Sequence, residues 1–245
     1  MALQEIPAFS KLKRQGNLTE PQDELSFTPA TRIQESFMAA AERKALRWLA
    51  ERTPAWINSD HLTLLGFAGN IAAGVCYALA AWEPRMLLGA VACLATNWLG
   101  DSLDGTLARV RNRQRPRYGF YVDHVIDTFS GFFLMGGLAL SGYVHPAIAI
   151  GMLVAFLMLS VEVYLASYTL RTFRLSYAKF GPTEIRILLA IGSVALLFRP
   201  VVHIAGRPYL LFDVGGVIAI AGMAGILVVS AIRHTAQLYR EERLP

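Results

Sequence analysis

Six stretches of the chain stay apolar for about the length of a membrane crossing. A transmembrane helix needs roughly 20 mostly apolar residues, and the stretches near 61–82, 86–109, 119–141, 145–170, 182–204 and 209–234 meet that need. Ahead of them, Ile33, Phe37, Met38, Ala41, Ala45, Trp48 and Leu49 recur at helical spacing, while Arg32, Glu35, Arg43, Arg47 and Glu51 fall on other faces. Pro54 ends that pattern. It predicts an amphipathic helix over 30–54 lying in the membrane interface. A helix that caps the bundle from the aqueous side is the alternative. Residues 1–29 are polar, contain Pro7, Pro21 and Pro29, and are expected to be a loose tail. The first 36 residues hold no apolar h-region, so no signal peptide is expected. The fold class expected is all-α: a polytopic membrane protein with six transmembrane helices over 55–240, preceded by the interfacial helix.

Composition agrees with that pattern. Apolar residues make up 54% and charged residues 17%, against about 25% charged in a soluble domain. Mean hydropathy is +0.41. A disordered, fibrous or disulfide-stapled chain is excluded. Cys76 and Cys93 both lie inside apolar runs, which supports neither a disulfide framework nor a zinc knuckle. The net charge of +5 follows the loops. Eight Lys and Arg precede residue 53, five lie in 109–118 (Arg109, Arg111, Arg113, Arg115, Arg117), four follow the fourth stretch (Arg171, Arg174, Lys179, Arg186), and three close the chain. Only Arg85, Arg199 and Arg207 fall on the other side. The positive-inside rule then puts both termini in the cytoplasm. A basic excess distributed in this way gives no reason to expect a nucleic-acid partner.

The acidic residues change the picture most. Asp101 and Asp104 are three apart near the end of the second stretch, and Asp123 and Asp127 are four apart near the start of the third. Each pair shares a helix face. At 1.5 Å per residue, Asp101 and Asp127 both sit roughly 12 Å from their helix ends. Ionisable groups inside membrane helices are costly and are functional candidates by default. Four carboxylates this close need cations, and hard divalent ions with oxygen ligands suit them. One or two Mg²⁺ (or Mn²⁺) ions that neutralise a bound diphosphate are expected. Gly105 and Ala108 are small enough for a ligand to approach the helix backbone, and Arg109 ends the same helix within reach of a phosphate oxygen. A cation transporter is the alternative class, but transporter sites sit near the bilayer midplane, often beside broken helices. The G-x-x-x-x-G-K and G-x-G-x-x-G loops are both missing from the sequence, so ATP- or NAD-driven chemistry is not suggested.

These residues resemble the signature of the CDP-alcohol phosphotransferase (phosphatidyltransferase) family, Asp-x2-Asp-Gly-x2-Ala-Arg, a spacer of eight or nine, then Gly-x3-Asp-x3-Asp. Here the positions are Asp101, Asp104, Gly105, Ala108 and Arg109, a spacer of nine, then Gly119, Asp123 and Asp127. Every defined position matches. The resemblance implies that Asp101, Asp104 and Asp123 bind the metals, with Asp127 completing the site and serving as candidate general base. It implies that Gly105, Ala108 and Gly119 belong to the nucleotide and phosphate site, and that Arg109 contacts phosphate. It also implies a homodimer working from the cytoplasmic face. A substituted phosphate would pass from a CDP-alcohol to an acceptor hydroxyl with release of CMP, one substrate or product being a lipid. His124 is an alternative base or an orienting neighbour of the metals.

The substrate pair is less strongly marked. The Asp123-His124 pair, and the segment Lys179-Phe180-Gly181-Pro182-Thr183-Glu184, are similar to the choline and ethanolamine branch of the family. Glu162, with Tyr164 and Tyr168 nearby, is a candidate for holding an ammonium headgroup, and Glu184 is a second candidate. Interfacial anchoring is the simpler role for the tyrosines. Arg111 and Arg113 would instead suit a phosphorylated polar acceptor used with CDP-diacylglycerol. The expectation leans to CDP-ethanolamine or CDP-choline with a diacylglycerol-type acceptor.

Overall fold

The computed structural model describes residues 31–33, 39–170, 172–174 and 182–242. Among these residues there are seven helices: α1 (Ala39–Arg52), α2 (Ser59–Leu79), α3 (Met86–Val110), α4 (Pro116–Leu140), α5 (Pro146–Thr169), α6 (Pro182–Leu196) and α7 (Leu211–Glu241). Short strands β1 (Thr31–Ile33) and β2 (Thr172–Arg174) pair in parallel, and β3 (Val201–Ile204) and β4 (Arg207–Leu210) form an antiparallel hairpin. The start of the expected first helix is therefore corrected. Residues 31–33 are strand, the described helix begins at Ala39, and Phe37 and Met38 lie outside the described residues.

Four helices, α2, α3, α5 and α7, are long and apolar enough to cross a membrane. The α4 helix has the length, at 25 residues, but carries Arg117, Asp123 and Asp127. The expected fifth crossing, 182–204, is shortened. Its helix stops at Leu196 after 15 residues, about 22 Å against a hydrocarbon core of about 30 Å. Pro200 and the β-branched Val201, Val202 and Ile204 turn the rest of that apolar run into a hairpin, closed by Ala205 and Gly206 with φ of +50° and +76°. Positive φ at both central residues matches the twist of the flanking strands.

Helix ends are fixed locally. Asn58 Oδ1 accepts from the His61 amide at 3.0 Å while His61 Nδ1 accepts from the Asn58 amide, a reciprocal cap on α2. Pro116 and Pro146 begin α4 and α5, where a missing N–H costs nothing.

The α2 helix is the spine of the bundle. It packs against both α3 and α4, which hardly meet each other directly. Small residues allow this. A Cβ placed on Gly100 would strike the backbone of Gly66 and Leu62, and one placed on Gly137 would strike the backbone of Gly74. Such close approach is how helices associate where no hydrophobic drive separates protein from lipid. Asn97 Nδ2 donates to the Gly66 carbonyl at 2.9 Å across the α2–α3 seam. One apolar cluster, including Tyr77, Leu87, Leu94, Leu134, Leu138 and Leu196, fills the end of the bundle away from the aspartates. There the Tyr77 hydroxyl and Ser193 Oγ are hydrogen-bonded at 2.7 Å.

The second cluster joins Leu46 and Ala50 of α1 to Leu62, Leu103 and Leu107. The α1 helix is thus docked on α2 and α3 through Leu46 and Ala50. Trp48, one of the residues expected on the apolar face, is exposed beneath the guanidinium of Arg52. Glu42 strengthens the dock: its Oε1 accepts from Trp98 Nε1 at 2.9 Å, Thr183 Oγ1 at 2.8 Å and Ser102 Oγ at 3.3 Å. One carboxylate oxygen therefore ties α1 to both α3 and α6.

Candidate functional site

Because α3 and α4 lean on α2 rather than on each other, a narrow cleft opens between them. Its floor is Thr63, Gly66 and Phe67 of α2, and its walls are Asn97, Asp101 and Asp104 of α3 and Asp123, Ile126, Asp127 and Ser130 of α4. The helical spacing of each aspartate pair turns the carboxylates into this cleft. Asp101, Asp123 and Asp127 each offer a carboxylate oxygen, and these oxygens lie within 4.8 Å of one another. The triad stays reachable, with the Asp101 and Asp123 side chains 28% and 47% exposed.

Asp104 lines the same cleft but is engaged elsewhere. Its Oδ2 accepts from the Thr63 hydroxyl at 2.6 Å, and its Oδ1 accepts from the Gly105 amide. Ser59 Oγ donates to the Asp104 backbone carbonyl at 3.0 Å. Of the four expected metal ligands, three converge, and the fourth is held against α2.

The donor set consists of carboxylate oxygens, with no thiol or imidazole among the three converging groups. It fits a hard divalent cation and disfavours a soft one. One cationic group faces the triad from α6: Arg186 donates through Nη2 to Asp101 Oδ2 at 2.6 Å.

The other expected residues fall in several places. His124 is buried between α4 and α5. Its Nδ1 is 2.6 Å from the Phe120 carbonyl and 3.8 Å from Asp123 Oδ2. Its ring stacks on Phe120 at 4.1 Å and meets the edge of Tyr164 at 4.5 Å. A Cβ on Gly105 would meet only the Arg109 guanidinium, at 3.4 Å, so the helix surface there is open. Ala108 is half-buried on the last turns of the same helix. Arg109 donates to Thr106 Oγ1 at 3.0 Å. Gly119 sits exposed in the first turn of α4 with open space around it.

Arg111 is bound to backbone. It donates to the carbonyls of Ile57, Thr53 (2.7 Å) and Pro54 (3.0 Å), clamping the α1–α2 connection. Arg113 is exposed in the loop, and Arg115 pairs with Asp60.

Glu162 faces α7, where its Oε1 lies 2.6 Å from His234 Nδ1. Glu184 is buried near the start of α6, two residues from Arg186 and so on a different face. Lys179, Phe180 and Gly181, from the segment similar to the amino-alcohol branch, lie outside the described residues.

Three site residues were not singled out from the sequence: Arg186, Thr63 and Glu42. Arg186 was counted among the loop cations, although a charge between Ile185 and Ile187-Leu188 was itself a signal. Thr63 and Glu42 act through partners 41 to 141 residues away, and no local pattern marks them.

A family model described as CDP-alcohol phosphatidyltransferase matches residues 56–230. The match runs from the α1–α2 connection into α7 and includes the whole cleft. Comparison with curated proteins returned no match. The chain belongs to the CDP-alcohol phosphatidyltransferase family, whose members transfer substituted phosphate groups. Membership suggests CDP-alcohol phosphotransferase activity in phospholipid synthesis, with a CDP-alcohol substrate, CMP as product and a lipid acceptor. The four apolar helices, together with the family, point to an integral membrane protein.

Proposed function

From that membership we propose that the protein uses divalent cations to move a phospho-alcohol group from a CDP-alcohol to a lipid hydroxyl, releasing CMP. The observation that supports this most is the convergence of Asp101, Asp123 and Asp127 at the mouth of one cleft. Those three residues, with Asp104 adjacent, would hold one or two Mg²⁺ or Mn²⁺ ions, which supply charge neutralisation for the diphosphate and its leaving oxygen.

The chain's own groups do the rest. The open backbone at Gly105 and Ala108 admits the cytidine nucleotide, and Arg109 binds a phosphate oxygen. Gly119 leaves room at the entry of α4. Asp127 takes the proton of the acceptor hydroxyl as its oxygen bonds to the phosphorus next to the alcohol. The bond from that phosphorus to the CMP oxygen breaks, and CMP departs with the electron pair. His124 keeps its Nδ1 on the Phe120 carbonyl and steadies Asp123 on the neighbouring face. Thr63 holds Asp104.

In this reading α4 and α6 complete six crossings, α6 together with its hairpin. The α1 helix lies at the cytoplasmic interface, both termini are cytoplasmic and the protein is a homodimer. The donor is CDP-ethanolamine or CDP-choline, on the strength of the Asp123-His124 pair and of Tyr164 beside it. Glu162 gives little support to an ammonium site, because His234 already engages it.

The test is CMP release by detergent-purified protein with Mg²⁺, across a panel of CDP-alcohols and acceptors. Release from CDP-ethanolamine or CDP-choline that requires diacylglycerol is the expected result. Release only from CDP-diacylglycerol with a phosphorylated or other polar acceptor, such as glycerol phosphate, inositol phosphate or serine, would overturn the branch. Release with no pair would overturn the activity.

A further inference from the structure

Asp101 of the aspartate triad is ion-paired with Arg186, a residue that enters the cleft from α6. Two features show that the placement is built. Thr183, one turn earlier on α6, donates to Glu42, and Ser102, next to Asp101, donates to the same Glu42 oxygen. Residues three apart share a helix face, so fixing Thr183 on Glu42, the carboxylate that also holds Ser102 of α3, delivers Arg186 to Asp101. Both partners are mostly withdrawn from solvent, the Arg186 side chain at 18% exposure and Asp101 at 28%, so solvent screens the pair only in part.

We propose that Arg186 is a resident counter-cation of Asp101, held in register by the Glu42–Thr183 contact, and that it competes with a divalent ion for that carboxylate. This rests on the reading of Asp101, Asp123 and Asp127 as the cation site. A divalent ion among these oxygens meets a fixed positive charge on the same carboxylate. The guanidinium must then swing off Asp101 or lower the ion's affinity. When it swings, it is left in the cleft as a free donor fork beside the cation, where the diphosphate of the donor would lie. The arrangement keeps Asp101 paired in the absence of a cation and couples cation entry to the release of an anion-binding group. Arg186 is a positioning and competing residue in this account and takes no proton.

The experiment is Mn²⁺ binding, measured by electron paramagnetic resonance on the full chain in detergent with no nucleotide present. R186Q is expected to bind Mn²⁺ about tenfold more tightly, the order of effect of removing one nearby like charge from a partly screened site. R186K keeps the charge but loses the planar fork, and a smaller rise is expected. R85Q, at the far end of α3, should leave the affinity unchanged. In metal-free buffer R186Q should melt below the wild type, and the gap should close at saturating Mn²⁺. Equal or weaker Mn²⁺ binding by both Arg186 variants would overturn the competition and make Arg186 an aid to the cation instead. A wild-type chain that takes up no Mn²⁺ would remove the cation reading of the triad along with it.

Discussion

Two regions of the bundle bury acidic groups between helices, and they are built on opposite plans. Between α5 and α7, Glu162 meets one histidine, His234, at 2.6 Å, and the Glu162 side chain is only 11% exposed. Its second oxygen is buried with no hydrogen-bond partner among the described residues. Between α3 and α4, three aspartates converge on each other, Arg186 meets one of them, Asp101, and the Asp101 and Asp123 side chains stay partly exposed. The first is a one-to-one pairing that joins two helices. The second gathers three carboxylates in one cleft, an arrangement that helix packing does not require and that could hold a metal ion. Carboxylates inside a membrane protein are therefore best sorted by whether they pair singly or gather, and not by burial alone.

The contrast can be tested by substitution. The largest effect is expected in the cleft: Asp127→Asn should lower CMP release by at least about a hundredfold, and chelation of divalent cations should silence the wild type as fully. A cleft variant with normal turnover would erase the distinction between the two regions. Next comes the frame that holds the cleft open. Gly137→Leu would press a side chain onto the Gly74 backbone, and a loss of about 1–3 kcal/mol or more is expected, read as a lower melting temperature in detergent. The smallest effect on chemistry is expected at the balanced pair. His234→Ala leaves Glu162 without its partner and should cost about 1–3 kcal/mol of stability, while CMP release per folded molecule stays at the wild-type level. A selective loss of amino-alcohol turnover in that variant would move the α5–α7 pair from the framework into the substrate site.

Much of the cleft was legible in the sequence because its information is local. Spacings of three and four put Asp101 with Asp104 and Asp123 with Asp127, and consecutive antiparallel helices bring the pairs to one level. The outlying role of Asp104 was not legible, since it depends on Thr63 of a different helix. The ending of α6 at Leu196 was missed for a different reason. A run such as Val201-Val202-His203-Ile204 is apolar and β-branched, and hydropathy alone does not separate strand from helix over so short a stretch. Arg186 was hidden by a counting rule that assigns cations to loops before asking which helix face they occupy. The docking of α1 through Leu46, Ala50 and Glu42 needed the partners Leu62, Leu103, Trp98 and Thr183, which are brought together only by folding.

The glycine seams of α2 carry a consequence for any cation the cleft would hold. The walls bearing Asp101 and Asp127 are spaced by backbone lying on backbone, Gly66 on Gly100 and Gly74 on Gly137. Backbone cannot change rotamer to accommodate a larger guest. The cleft is in effect a calliper whose jaws carry the aspartates and whose hinge setting is written in residues without side chains. Mg²⁺ and Ca²⁺ differ by about 0.3–0.5 Å in their bonds to oxygen, less than the width of one methyl group added to a seam. In the proposed reading, a cation held by the aspartates would be sized by four glycines as much as by the carboxylates themselves.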